Sequence, residues 1–359
     1  MEHISYYSLS IHPDQLNVYY DYIGSHGRRL DPSEDADPIK SPGHDQPTQF
    51  KDNYHHGRVS RIARRKLSKA VSYLAYLAKP KTVHNSSYSG SFAFKLNFIT
   101  LTLSSPQVHT DQEIKARLLD HFILDMKRLW GVDMYVWRAE KQKNGSIHFH
   151  IVTSSFIPWN ELRNVWNRIQ QKLGYVTRYR EDRMEWHRNG FRYDPKLEKH
   201  WHYKAQLKAF KAGVQTGWDN PNSTDVHSLR FIGNIKAYIA KYMSKNEEFT
   251  DEQKAEFNAL PRAEQDKIRQ DKFVSGRLWG SSANLVNLSG GQAVVDSGIE
   301  KELDRIVQND PQCVYHSDYF HVYNIDIHTL RKLGCTSLIS LLEDYIRKKF
   351  PDDYLASMT

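Results

Sequence analysis

The chain has little cysteine and no long apolar run, and each absence excludes a class of protein. Its two cysteines, Cys313 and Cys335, lie far apart in the C-terminal part, so they build neither a disulfide framework nor a four-cysteine zinc ribbon. No stretch approaches the roughly 18 apolar residues of a membrane-spanning helix, and the first residues lack the basic start and apolar run of a secretory signal. We therefore expect a soluble protein of a reducing cytoplasm.

Acidic residues are also outnumbered, which bears on the partner. The 50 Lys and Arg residues against 42 Asp and Glu give a net charge of +8, and this balance favours an anionic partner such as nucleic acid. A helicase phosphate loop of the form GxxxxGK followed by Ser or Thr is absent, so any unwinding of DNA needs another protein.

Composition and periodicity divide the chain into three segments. Residues 1–90 form an N-terminal extension with a mobile linker at 24–53, rich in Gly, Pro, Asp and Ser, and a basic amphipathic helix at Arg58–Leu77. The basic face of that helix is either solvated or in contact with DNA. Residues 91–285 form the central domain, and residues 286–359 a C-terminal helical extension.

The central domain alternates between strand and helix periods in the order βαββα. The predicted strands are FKLNFITLTL, MYVWRAE and IHFHIVTS, and the predicted helices are DQEIKARLLDHFILDMKRLW and WNELRNVWNRIQQKL. This order predicts the α+β class, with an antiparallel sheet flanked by helices. Residues from about 178 to 230 lose the pattern and are interpreted as an insertion, after which FIGNIKAYIAKYMSK restores a helical period.

Two histidines on one predicted strand suggest a metal site. Side chains alternate between the faces of a strand, so His148 and His150 point the same way, opposite to Phe149 and the flanking isoleucines. The same spacing recurs in the polar segment His200-Trp201-His202, without an apolar back face. The first copy is therefore the better candidate, because it projects from a rigid sheet.

The turn before this strand brings in a third ligand. Apolar residues of the two strands meet on one face only if Lys143-Asn144-Gly145 forms a three-residue loop, and that register places Glu140 opposite His148. Two imidazoles and a carboxylate suit Mn²⁺, and accept Mg²⁺ with water completing the shell. The alternative is that Glu140 forms a surface ion pair with Lys141 or Arg138.

A second group of polar residues lies on one face of a predicted helix. Tyr238, Lys241, Tyr242 and Lys245 follow the i, i+3, i+4, i+7 spacing. A separate apolar stripe on the same helix supplies its core contacts: Ile232, Ile235, Ile239 and Met243. The phenols and ammonium groups therefore face either solvent or an anionic substrate.

Together these motifs resemble the HUH nickase family, named for two histidines that flank a hydrophobic residue. His148-Phe149-His150 matches that motif, Phe98-Ile99-Thr100-Leu101-Thr102 looks like the family's first motif, and Arg277-Leu278-Trp279-Gly280-Ser281 is similar to a segment that follows its tyrosine helix. The two tyrosines three residues apart are similar to gene A proteins of small phages and to two-tyrosine plasmid and transposon enzymes. The likeness covers roughly residues 94–282.

The resemblance implies a fold and an activity. The fold is a ferredoxin- or RRM-like βαββα core, and the activity is nicking of single-stranded or hairpin origin DNA at the start of rolling-circle replication. A divalent metal, Mn²⁺ or Mg²⁺, on Glu140, His148 and His150 assists attack by Tyr238 or Tyr242, with Lys241 near the reacting charge and a weaker claim for Lys245. The setting implied is a bacterial cytoplasm containing a plasmid, phage or other mobile element, with a host helicase and polymerase as partners and no membrane.

The insertion is rich in residues that suit single-stranded DNA. Its aromatic residues are interleaved with arginines, and the candidate DNA contacts are Arg178, Arg180, Trp186 and Arg188. The full set comprises Tyr175, Tyr179, Trp186, Phe191, Tyr193, Trp201 and Tyr203 with Arg178, Arg180, Arg183, Arg188 and Arg192. A surface insertion without DNA contact is the alternative.

Three other functions remain open. A two-tyrosine HUH transposase shares the chemistry, although the missing zinc ribbon argues against it. A conjugative relaxase usually has three histidines and an N-terminal tyrosine in that family's pattern, whereas here the tyrosines follow the histidines. A non-catalytic basic DNA-binding protein would use the tyrosines only for stacking.

Overall fold

The computed structural model describes residues 4–23, 29–30, 59–85, 90–199, 201–229, 256–316 and 320–350. These residues form two compact units. Unit 1 takes its described residues from Met1–Lys51, Lys69–Lys79 and Ala283–Thr359, and unit 2 from Asp52–Ser68 and Pro80–Ser282. Apart from residues 29–30, the predicted linker at 24–53 lies outside the described residues.

The regular elements are numbered in chain order. The strands are β1 (Ile4–His12), β2 (Gln15–Ile23), β3 (Arg29–Leu30), β4 (Lys81–Asn85), β5 (Gly90–Phe94), β6 (Leu96–Thr102), β7 (Tyr135–Lys141), β8 (Ile147–Thr153), β9 (Thr224–Leu229), β10 (Trp279–Ser281), β11 (Gly291–Val294), β12 (Val314–His316) and β13 (Phe320–Tyr323). The helices are α1 (Arg61–Leu77), α2 (Asp111–Ile114), α3 (Asp120–Trp130), α4 (Trp159–Gln171), α5 (Tyr175–Trp186), α6 (Tyr203–Thr216), α7 (Arg262–Lys272), α8 (Ala283–Val286), α9 (Ser297–Asn309), α10 (Ile327–Lys332) and α11 (Thr336–Lys349).

Unit 2 is built on a five-stranded antiparallel sheet in the order β10-β7-β8-β6-β9. Apolar side chains on one face, among them Ile99, Trp137 and Phe149, join a single buried cluster with Phe122 of α3 and Trp166 of α4. Strands β4 and β5 form a separate hairpin. The predicted α+β class, with an antiparallel sheet flanked by helices, is confirmed.

The helical segment between β6 and β7 shows how the sequence sets its own ends. Thr110 and Glu113 form a reciprocal capping box at the start of α2, and Gly131 ends α3 in a left-handed conformation with φ of 59°. A π-helical turn at Lys115–Leu119 joins α2 to α3. The predicted continuous helix is therefore present, with one wider turn inside it.

Unit 1 contains strands in both chain extensions. Strands β11, β1, β2, β13 and β12 lie side by side in that order, and β3 pairs with the end of β2. Leu9, Ile11, Leu16 and Val18 are buried, and they alternate with polar residues on either side of the Pro13-Asp14 turn. The sequence therefore carries a period-2 signal for this hairpin, whereas the N-terminal extension was predicted to contain only a linker and a helix.

The segment interpreted as an insertion contains α5, α6 and β9, and β9 pairs with β6 as an edge strand of the unit 2 sheet. Helical periodicity failed here because α5 buries little beyond Tyr175 and Val176, and α6 buries only Gln206 and Gly213. Strand β9 has exposed Asp225 in an edge position, so it lacked a clear apolar alternation. Among the described residues, none of the helices combines the length and apolar character that crossing a bilayer requires.

Candidate metal centre

A three-residue loop sets the register of the hairpin between β7 and β8. The Gln142 amide donates to the Ser146 carbonyl at 2.8 Å, and the Gly145 amide donates to the Gln142 carbonyl at 2.9 Å. Gly145 has a φ of 81°, in the left-handed region that glycine adopts without steric cost. Glu140 consequently lies opposite His148, and the predicted register is confirmed.

The hairpin brings Glu140, His148 and His150 together on the face of the sheet away from the helices. Nε2 of His148 lies 3.5 Å from Oε2 of Glu140, and Nε2 of His150 lies 3.7 Å from the same oxygen. One ligand atom from each residue falls within 4.8 Å of the others, which is a spacing that can hold a metal ion. Side-chain exposure is only 10% for Glu140, 16% for His148 and 9% for His150.

The hydrogen bonding of this cluster fits a bound cation. Neither ring nitrogen of His148 has a hydrogen-bond partner among the described residues, nor does Oε1 of Glu140, although all three atoms are buried. Buried polar atoms without partners cost free energy, and an ion is one of the usual reasons for them. Two imidazoles and a carboxylate match the preferences of Mn²⁺ and of other divalent cations that accept nitrogen and oxygen ligands.

The carboxyl group of Glu140 is ionised over the ordinary pH range. Burial raises its pKa, but the imidazoles of His148 and His150 and the guanidinium of Arg138 outweigh burial and lower the pKa to about 2. The group is therefore a carboxylate, which is the form that binds metal.

Strand β6 holds one of the two imidazoles in place. Oγ1 of Thr100 lies 3.1 Å from Nδ1 of His150, and the ring centroid of Phe98 lies 5.2 Å from that of His150. With the proton on Nδ1 donated to Thr100, Nε2 keeps its lone pair for a metal. Thr102 has a different partner, since its hydroxyl donates to the carbonyl of Ser223 at 2.9 Å.

Arg138 is a site residue that sequence reasoning considered only as a surface ion pair. It is 2% exposed, lies opposite His150 in the hairpin, and places Nε 3.4 Å from Oε1 of Glu140. Lys141, the other suggested partner, instead pairs with Asp111 at 2.8 Å. The signal for Arg138 was its parity, because residues 138 and 140 share a face of the strand.

The segment resembling the family's post-helix motif forms β10, which pairs with β7 beside the site. A Cβ at Gly280 would lie 2.6 Å from Nε1 of Trp137 and 2.9 Å from Nη2 of Arg277. Glycine is thus required for β10 to approach Trp137.

Several predicted site residues lie outside the described residues or away from the metal cluster. Tyr238, Lys241, Tyr242 and Lys245 fall outside the described residues, so their roles stay predictions. So does His200, a member of the second histidine pair, while His202 is exposed before α6.

The candidate DNA contacts of the insertion are on or just after α5. Arg178 packs over the ring of Tyr175 at 5.5 Å, and Arg180 pairs with Asp219 at 3.2 Å. Trp186 ends α5, and Arg188 follows it. Arg180 and Arg188 are exposed.

Comparison with known proteins gives one match. Residues 96–247 match a family model for replication-associated proteins of the ORF2 type, which supports a replication initiator family. This segment is less than half of the chain and contains both the metal cluster and the predicted tyrosine stripe. No curated protein and no solved structure matches the chain significantly.

Proposed function

We propose that this chain initiates rolling-circle replication by nicking single-stranded origin DNA and later rejoining it. The observation that carries the proposal is the cluster of Glu140, His148 and His150, which lies on a rigid hairpin inside the segment that matches replication-associated proteins. The proposed endonuclease domain spans residues 91–285. A host helicase would unwind the duplex, and a host polymerase would extend the nicked strand.

In the proposed reaction, the phenolate oxygen of Tyr238 or Tyr242 attacks the scissile phosphorus. A bond forms between this oxygen and phosphorus, the bond from phosphorus to the 3′ oxygen breaks, and the departing oxygen takes a proton to become a free 3′-hydroxyl. The resulting 5′-phosphotyrosine conserves the phosphodiester, so a 3′-hydroxyl can reverse the step and join the strand. Lys241 stabilises the phenolate or the phosphate.

Glu140, His148 and His150 would hold the divalent cation, Mn²⁺ or Mg²⁺. When bound, the cation supplies Lewis-acid stabilisation of the charge that develops on the phosphate oxygens. The chain keeps Glu140 ionised and presents Nε2 of His150 through its contact with Thr100. Because all of these groups lie on paired strands, their geometry is fixed before DNA binds.

The test is formation of a covalent protein–DNA adduct. Labelled single-stranded DNA from the origin of the replicon that carries this gene is incubated with the protein and Mn²⁺, and the products are separated on denaturing gels. We expect an adduct that persists in Tyr238→Phe or in Tyr242→Phe but disappears in the double variant. Loss in one single variant identifies the principal nucleophile.

Matched substitutions control this experiment. Tyr315→Phe alters a tyrosine that is 61% exposed elsewhere in the chain, and it should leave the adduct unchanged. His148→Ala and a chelator should abolish the adduct, while His121→Ala, at an exposed position on α3, should not. If no origin strand gives an adduct, the chain is a non-catalytic DNA-binding protein. Release of closed single-stranded circles distinguishes an initiator from a transposase.

A further inference from the structure

Helices α5 and α6 and the loop between them enclose an aromatic cleft in unit 2. Its inner cavity has a volume of about 110 Å³ and is lined by Trp186, His187, Phe191, Arg192, Phe210 and Trp218, among others. An outer cavity of about 500 Å³ shares Trp186, Phe191 and Arg192 with it. Pockets for drug-sized ligands measure about 300–1,000 Å³, so the inner cavity suits a single small ring system.

The rings of this cleft do not form a dry core. Nine Phe, Trp and Tyr residues lie between positions 175 and 218, and Tyr175 is the one that is buried. Trp201 is 48% exposed and Tyr203 is 52% exposed. Burial of apolar area therefore does not account for so many rings in one short segment.

Two rings flank His187 in nearly parallel orientation. Its ring plane lies 13° from that of Phe191 and 13° from that of Trp218, with centroid distances of 6.3 and 6.0 Å. Parallel faces are the arrangement that stacks a flat heterocycle. Edge-to-face packing would have closed them.

The cleft is held open by the chain itself. The side-chain amide of Gln206 donates to the carbonyls of Asp194 and Trp201 at 2.9 and 2.7 Å and accepts from the Asp194 amide at 2.9 Å. Trp218 has a left-handed φ of 55° and lies against Gly213, where an added Cβ would be 2.1 Å from its Nε1. Strain of this kind persists where the surroundings enforce it, and it is frequent at binding sites.

Charge around the cleft favours an anion. Between positions 175 and 220 there are ten Lys and Arg residues and six Asp and Glu residues, a net of +4 within a chain of net +8. The guanidinium of Arg192 lies 3.8 Å from the ring centroid of Trp186. Two acidic residues, Asp182 and Glu185, line the outer cavity, and Glu185 is paired with Arg188 at 3.1 Å.

We propose that this cleft binds one unstacked base of single-stranded DNA, with Trp186 as the stacking ring and Arg192 as the contact to the adjacent phosphate. An arginine can stack on an aromatic ring and still present its N–H groups to a phosphate. The inference rests on the proposed function, because it assumes that a single strand is the substrate. It adds the site at which the strand is gripped.

The test is a cycle that removes the base and the ring separately. Affinities of the full chain for a fluorescein-labelled oligothymidylate and for an abasic strand of the same length are measured without metal, for the wild type and for Trp186→Ala. We expect Trp186→Ala to weaken oligothymidylate binding by about 5- to 100-fold, as at other base-stacking sites, and to leave abasic-strand binding nearly unchanged. Trp186→Tyr should restore most of the affinity, which guards against a folding defect.

A second tryptophan–arginine stack provides the matched control. Arg163 lies 4.9 Å from the ring centroid of Trp159, which is 46% exposed on α4 outside the cleft, so Trp159→Ala should change neither affinity. Arg192→Gln should reduce the slope of log affinity against log salt by about 0.7, the value for one phosphate contact on a single strand.

The proposal is overturned if Trp186→Ala weakens both strands equally or neither, or if Trp159→Ala has the same effect. These readings do not depend on nicking. A wild-type adduct with a flat binding cycle refutes the cleft alone, whereas a positive cycle without any adduct refutes the nicking function and leaves a strand-binding site.

Discussion

Thr100→Val isolates a residue that orients a metal ligand without contacting the metal. The substitution keeps the branched shape on β6 but removes the hydroxyl that lies 3.1 Å from Nδ1 of His150. The imidazole then has no partner at Thr100 to fix its orientation and its tautomer. We expect a weaker metal site on an otherwise intact fold.

The magnitude follows from the role of such partners. Loss of a hydrogen bond to a metal-ligating histidine typically lowers metal affinity about 10- to 100-fold, which is about 1.4 to 2.7 kcal/mol. The stability of the metal-free protein should fall by about 1 kcal/mol, the usual net value of one hydrogen bond. Phe98 still packs on the ring with centroids 5.2 Å apart, so the affinity should be reduced rather than abolished.

The assay is calorimetric titration of the purified chain with Mn²⁺, supported by a thermal melt of each variant. Thr102→Val is the matched control, because Thr102 lies on the same face of β6 but donates to the Ser223 carbonyl. It should leave the affinity unchanged, whereas His150→Ala should abolish binding. Equal affinities in Thr100→Val and the wild type would refute the orienting role, and equal losses in both threonine variants would indicate a general effect on the strand.

Three further predictions concern stability. Burial lowers the pKa of Lys115 to about 8 from 10.5, so between these values the unfolded chain holds the proton that the folded chain releases, and the free energy of unfolding should rise with pH; urea titrations of Lys115→Met should lack this rise, and an unchanged slope would contradict it. Gly213→Ala should lower the melting temperature despite alanine's higher helix propensity, because the new Cβ would lie 2.1 Å from Nε1 of Trp218; a higher melting temperature would refute this. Arg138→Met should cost about 3–5 kcal/mol in urea unfolding because it leaves the carboxylate of Glu140 buried beside a lost charge, and the cost should shrink in a Glu140→Gln background.

The metal hairpin was predictable because three independent constraints in the sequence agree. Strand alternation fixed the parity of His148 and His150, the Asn144-Gly145 pair located the turn, and the need for one apolar face chose the loop length. The position of Glu140 followed from these without any long-range information. The observed pairing of Glu140 with His148 has this register.

Residues that reach the site from other strands were harder to predict. Thr100 meets His150 only because β6 pairs with β8 in a register that places these two residues opposite each other, and no local pattern specifies pairing across about 50 intervening residues. Arg138 shares the strand of Glu140, but its burial depends on β10, which covers it from a distant part of the chain. The pairing of the N-terminal hairpin with β11 and β13 is equally non-local.

The departures from ordinary folding rules in unit 2 coincide with the two proposed sites. A chain selected for stability alone would not leave the ring nitrogens of His148 and Oε1 of Glu140 buried without hydrogen bonds, nor hold Trp218 at a φ of 55°. Local rules that fail where polar ligands or aromatic rings converge are more typical of binding sites than of packing errors. A bound cation would relieve the first departure, whereas the second persists because Trp218 packs against Gly213 and beside His187. The metal cluster should therefore gain stability from its ligand, while the aromatic cleft should keep its shape without one.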